Sequence, residues 1–162
     1  MPTPSTQERV PAGLKEAVDK FMAILEKGQP DALFGLVSSE GVVFGIESDP
    51  LPVSRIRDEL RKKEGIYCLL FDTDCLRKET LQEWKRGNYS GNIEAAISLR
   101  EAISSASEKK ININGSGKQG WVSWKLELNG KPGAGFINAT DFDFALEKNA
   151  WVLKRVAYPG YR

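Results

Sequence analysis

From Gly120 to Pro159 the chain alternates apolar and polar positions with a period of two, the signature of half-buried strands. Val122, Trp124, Leu126 and Leu128 lie on one face of a first strand, and Trp121, Ser123, Lys125 and Glu127 on the other. Asn129-Gly130, followed by Lys131-Pro132-Gly133, supplies the positive φ angles of a hairpin. A second strand, Gly135 to Leu146, sets Phe136, Asn138, Thr140, Phe142 and Phe144 against Ile137, Ala139, Asp141, Asp143 and Ala145. Glu147-Lys148-Asn149 makes the next turn. The last strand runs from Ala150 to Val156, with Trp151 and Leu153 on one face and Val152, Lys154 and Val156 on the other; Pro159 ends it, since proline cannot donate to a ladder. An antiparallel meander with one apolar face needs a cover.

The N-terminal half supplies one. Leu14, Val18, Phe21, Met22 and Leu25 recur at helical spacing, and Gly28 marks the end of that helix. Pro30 suits the first turn of a short helix carrying Leu33, Phe34, Leu36 and Val37. After Gly41, Val42 to Ile46 reads as a strand, and Glu47 to Pro52 as a loop. Ser54 is the expected N-cap of a third helix with Ile56 and Leu60 on its apolar seam, closed by Gly65. Ile66 to Phe71 is expected to be a buried strand. A short helix over Leu76–Trp84, a loop over Gly87–Asn92 and a helix from Asn92 to Ser107 follow. Ile111-Asn112-Ile113 reads as a short strand and Asn114 to Gly117 as a turn. Met1 to Ala12, rich in Pro, Thr and Ser without an apolar segment, is expected to be a flexible arm, or a mature N-terminus after an export signal; residues 13–162 form one α+β domain.

Composition removes whole classes of chemistry. There is no histidine, so His-based acid–base catalysis, Ser-His or Cys-His nucleophiles and His-ligated metals are excluded. A formal charge of +1 without a basic run gives no support for nucleic-acid binding, and no apolar run is long enough to insert into a membrane. Cys68 and Cys75 are too few for a disulfide framework or a zinc cage, so neither a metal nor any other cofactor is expected. Buried free thiols and a local Cys68–Cys75 bridge across Asp72-Thr73-Asp74 both stand; without histidine a reactive thiol is disfavoured. Asp72 and Asp74 alone are too few to hold a hard cation. Three Asn-x-Ser/Thr triplets, at Asn88, Asn114 and Asn138, match the glycosylation pattern cheaply.

The stretch from Phe21 to Phe44, with Glu26-Lys27-Gly28-Gln29-Pro30-Asp31-Ala32-Leu33, then Ser54 to Leu60 and Asn149-Ala150-Trp151-Val152-Leu153, resembles the nuclear transport factor 2-like (SnoaL-like, cystatin-like) cone. The resemblance implies an α+β fold, a curved antiparallel sheet wrapped around N-terminal helices. Phe71 to Ile113 departs from it, so a helical insertion around residues 76–107 is expected. Isomerases and dehydratases of that family use an Asp in the cone as general base, often beside a Tyr. Carried to this chain, Asp141 and Asp143 become catalytic candidates with Tyr67 orienting a substrate; the three phenylalanines of the opposite face compete with them for the interior. Trp121, Trp124, Phe136 and Phe142 are the ligand-binding candidates. The first expectation is a non-catalytic module for a small apolar ligand or a protein partner, homodimeric through the sheet face; the alternative is a cofactor-independent isomerase or dehydratase. The compartment is open.

Overall fold

The computed structural model describes residues 10–45, 49–88, 93, 96–127 and 139–158. Among these residues, six α-helices and five strands follow in the order α1 (Leu14–Lys27), α2 (Pro30–Leu33), β1 (Val43–Phe44), α3 (Val53–Lys62), α4 (Ile66–Phe71), α5 (Thr73–Lys85), α6 (Leu99–Ser105), β2 (Glu108–Ser116), β3 (Gln119–Glu127), β4 (Ala139–Glu147) and β5 (Ala150–Ala157). The strands form one curved, unclosed sheet ordered β1-β5-β4-β3-β2, antiparallel except where β1 lies parallel to β5. The helices cover its concave face. This is the expected α+β cone, with helices filling the segment where an insertion was anticipated.

The amphipathic spacing of α1 explains its place. Leu14, Ala17, Val18, Phe21, Ile24 and Leu25 are all buried, and Gly28, in left-handed backbone, closes the helix by donating to the Ile24 and Leu25 carbonyls. At Gly120 a Cβ would meet the Leu14 methyl groups at 2.7 Å, so the missing side chain lets the helix approach the sheet. Phe21 is the hub of an aromatic cluster, its ring centroid 5.2 Å from Phe142, 5.9 Å from Trp124 and 6.4 Å from Phe144. Trp124 and Phe142 are 4.3 Å apart. Tilted and edge-on pairs of this kind add to the area they bury.

Five local expectations are corrected. Ile66–Phe71 is helical, not a strand: every residue but Tyr67 is buried, so the run has no polar face from which to read a period. Glutamates satisfy its first amides, Glu79 accepting from Gly65 N–H at 3.2 and 3.1 Å and Glu59 from Ile66 N–H at 3.0 Å. Strand β2 is nine residues long and absorbs the expected turn at Asn114–Ser116, because β3 pairs with it residue for residue from Glu108↔Glu127 to Ser116↔Gln119. The helix expected over Asn92–Ser107 is the shorter α6, whose N-cap Ser98 accepts the Glu101 N–H at 3.2 Å. Val156 shares the inner face with Leu153, because a β-bulge at Lys154 takes the partners from Phe144↔Leu153 to Asp143↔Arg155. Helix α3 also starts two residues early, with Pro52 rather than Ser54 at its N-cap.

Ile46, the hairpin at Asn129-Gly130, strand residues Gly135–Asn138 and the sequons at Asn88-Tyr89-Ser90 and Asn138-Ala139-Thr140 fall wholly or partly outside the described residues, as do Met1 to Arg9. The next residues are docked: Val10 packs on the core and the Ala12 carbonyl accepts the Trp151 indole N–H at 2.8 Å.

Candidate functional site

The sheet register decides which side chains can meet. Trp124 on β3 is directly opposite Thr140 on β4, and Val122 opposite Phe142, all on the inner face. Asp141 and Asp143 therefore point outward. Asp141 is exposed and accepts the Ser123 hydroxyl at 2.7 Å; Asp143 accepts from Arg155 Nε at 2.8 Å. Neither is enclosed by apolar side chains. Tyr67 is on the other side of the core, half-buried on α4 with its ring 5.7 Å from Phe71. The structure does not bring the three catalytic candidates together.

The ligand-binding candidates divide. Trp121 lies on the outer face, 45% exposed, while Trp124 and Phe142 are buried inside. Phe136 lies outside the described residues. Within the core, Trp124 Nε1 and Thr140 Oγ1 are fully buried and have no hydrogen-bond partner among the described residues. A buried, unpaired donor or hydroxyl costs about 1–3 kcal/mol, and folded proteins keep few of them. Two such atoms on directly opposed positions stand out in an interior otherwise lined by Phe21, Phe142 and Phe144.

A cleft of about 690 Å³ opens at the same end of the sheet. Lys109, one of its walls, pairs with Leu126 two positions from Trp124, and Asp141↔Ala157 sets Thr140 beside Tyr158. Glu26 from α1, Phe71 from α4, Asp72, Thr73 and Asp74 at the α4–α5 corner, and Glu101 from α6 complete its main surfaces. The corner is built by local chemistry. Asp72 caps α5 by accepting the Cys75 N–H at 3.1 Å, and Thr73 donates to Glu101 while accepting the buried Ser98 N–H at 3.0 Å. Tyr158 anchors the strand end beneath, its hydroxyl donating to the Ile97 carbonyl at 2.5 Å. Burial first, and the Glu101 charge second, push the Tyr158 hydroxyl far above its ordinary value, so it stays neutral. Periodicity could not reveal this cleft, because its residues come from five separate elements.

A second polar cluster lies at the β4–β5 turn. Glu147 accepts the buried Ser38 hydroxyl at 2.6 Å, with Ser39 N–H at 3.3 Å and Lys154 Nζ at 3.8 Å nearby. The Ser38 hydrogen bond is the main cause holding its carboxyl below the ordinary glutamate value, helped by Ser39 and Lys154 against a smaller effect of burial. The cluster ties residues 38–40 to the sheet.

Cys68 and Cys75 are disulfide-bonded, with Cα atoms 5.1 Å apart, which decides between the two readings of the pair. The bridge joins α4 to α5 across Asp72.

Comparison with known proteins adds fold-level likeness. No family model and no curated protein matches the chain. Among solved structures it is similar to an NTF2-like protein of unknown function from Pseudomonas putida, at 9% identity over 96% of this chain and 88% of that one, with a TM-score of 0.47. An NTF2-like protein of unknown function from Shewanella baltica shows 13% identity over 97% and 96%, with a TM-score of 0.45. A cystatin-like fold protein from Nostoc punctiforme shows 8% identity over 98% and 93%, with a TM-score of 0.41. No helix among the described residues is long and apolar enough to cross a membrane.

Proposed function

We propose that the chain is a non-catalytic binding module whose ligand is a small, largely apolar molecule carrying one hydrogen-bonding group. The ligand seats at Trp124 and Thr140 and enters by way of the cleft between α1, the α4–α5 corner, α6 and β2. The observation that carries this reading is the pair of buried polar atoms at opposed positions of the inner face, without a hydrogen-bond partner among the described residues. Ligand pockets are mostly apolar with a few placed polar groups, and a carbonyl or hydroxyl between Trp124 Nε1 and Thr140 Oγ1 would satisfy both. The outward aspartates weigh against the isomerase or dehydratase alternative.

The test follows indole N–H resonances in the ¹⁵N-labelled protein while cyclohexanone, phenol and γ-butyrolactone are added, with the Trp124 signal assigned by its loss in Trp124→Phe. A saturable shift of that signal, weakened in Thr140→Val, supports the reading. An unmoved signal with all three probes, with an ordered water bridging the two groups in a crystal, sinks it.

The outer sheet face favours a second reading, protein interaction through a homodimer. Trp121 stands there 45% exposed, beside the Ser123–Asp141 and Asp143–Arg155 pairs, and buried aromatic anchors ringed by polar groups are typical of interfaces. Light scattering should find a dimer that Trp121→Ser converts to monomer; a monomeric parent at high concentration removes this reading.

A further inference from the structure

We propose that Cys68, Cys75 and Glu79, with the backbone carbonyl of Lys63, form a redox-gated site for a borderline-soft divalent cation such as Zn²⁺. Two cysteines alone make no zinc site, but the fold adds the missing donors. The two sulfur atoms and a Glu79 carboxylate oxygen lie within 4.8 Å of one another. The Lys63 carbonyl oxygen is 3.8 Å from Cys68 Sγ and 3.6 Å from Cys75 Sγ. Lys63 ends α3 in left-handed backbone, at φ 56°, which directs the chain back over the pair. Two thiolates, a carboxylate and a carbonyl make a four-donor set with the thiolate character that Zn²⁺ favours over Mg²⁺ or Ca²⁺. The outer layer is present as well. Gly65 N–H reaches both Glu79 oxygens, at 3.2 and 3.1 Å, and so fixes the carboxylate that would face the cation.

In the disulfide the sulfurs are spent on each other, so the cation is excluded until a dithiol reductant acts. Its thiolate attacks the half-buried Cys75 Sγ, the S–S bond breaks, and the buried Cys68 leaves as thiolate. The reductant's second thiol then displaces Cys75 from the mixed disulfide and departs as a cyclic disulfide. Two electrons have passed to the protein, and cation binding releases the two thiol protons to solvent. Disulfide and metal are alternative staples of the same corner, and both hold α4 to α5 behind Asp72, Thr73 and Asp74. The cleft keeps its wall in either state and loses it when reduced and metal-free.

The experiment uses the full chain, reduced with dithiothreitol, freed of reductant under anaerobic conditions and titrated with Co²⁺ alone. The expected result is one Co²⁺ per chain with a thiolate charge-transfer band, displaced by Zn²⁺ and absent from the oxidised protein. Cys75→Ser abolishes the band. Glu79→Gln keeps it but weakens binding by at least the ~10–100-fold that loss of an outer-shell partner brings. Far-UV circular dichroism checks that each variant is folded, and Glu79→Gln decides alone if Cys75→Ser is not. A reduced chain that takes up no Co²⁺, or a folded Glu79→Gln that binds as tightly as the parent, overturns the proposal.

Discussion

Gly65→Ala tests the junction that turns α3 into α4. Gly65 has φ 57° and ψ −114°, a backbone region open almost only to glycine, and an alanine held there costs about 1–3 kcal/mol. Its Cβ would lie 1.8 Å from Glu59 Oε1 and 2.7 Å from Glu59 Cδ, so the carboxylate must leave. That carboxylate is buried and accepts the Ile66 N–H at 3.0 Å. Breaking the bond strands a buried amide, worth about 1–3 kcal/mol. The Arg55 contact on the other oxygen adds little, because the Arg55 side chain is largely in solvent. The two effects together predict a loss of about 2–6 kcal/mol, read as a lower midpoint in urea with an unchanged slope. In a Glu59→Ala background the carboxylate no longer obstructs, and the same substitution should cost only the backbone share, about 1–3 kcal/mol. A loss under about 1 kcal/mol in the parent, or an equal loss in both backgrounds, would refute the reasoning.

Three further outcomes are expected. Glu147 is held below its ordinary value of 4.5 in the folded state, so its contribution is present above pH 4.5 and fades as pH falls through the depressed value; Glu147→Gln should flatten that part of the acid limb in denaturation experiments. Tyr158 is shifted the opposite way, favouring its neutral form, so its contribution is complete below pH 10 and declines as pH climbs beyond it; Tyr158→Phe should lessen that alkaline loss, and one tyrosine of the folded parent should resist ionisation in absorbance titration. Reducing Cys68–Cys75, which closes a loop of sequence separation 7, should cost about 2 kcal/mol by the chain-entropy relation, measured as the difference in urea stability between metal-free reduced and oxidised protein.

What could be read from the sequence follows how each element is buried. Helix α1 and strands β3 and β4 each bury one face and expose the other, so Phe21, Trp124, Phe142 and Phe144 could be placed inward by counting. Helix α4 buries nearly all round, and Ile-Tyr-Cys-Leu-Leu-Phe carries no period from which to tell helix from strand. Strand β2 is the opposite case, Glu-Lys-Lys-Ile-Asn-Ile-Asn-Gly-Ser being too polar to announce a strand that pairing with β3 imposes. The aspartate pair was legible as sharing one face, and the phenylalanines decide which. The cleft, the unpartnered Trp124 and Thr140 atoms and the donors around the cysteines depend on contacts between distant segments. Spacing holds no record of those.

The bulge at Lys154 makes the length of the last strand a variable separate from its chemistry. Before it, Trp151 and Leu153 face inward at odd positions; after it, Val156 and Tyr158 do so at even ones. Lys154 works like a one-letter frameshift in the pleat, with its head tied to Glu40 at 2.8 Å outside the ladder. Removing that residue would restore strict alternation and leave Leu153 and Val156 both inward. Removing Leu153 or Val152 instead would also cancel the extra residue, but it would turn the Lys154 side chain inward at the position opposite Phe144 that Leu153 now fills. Evolutionary or engineered changes of length in β5 therefore have one tolerant address, and the bulge marks it.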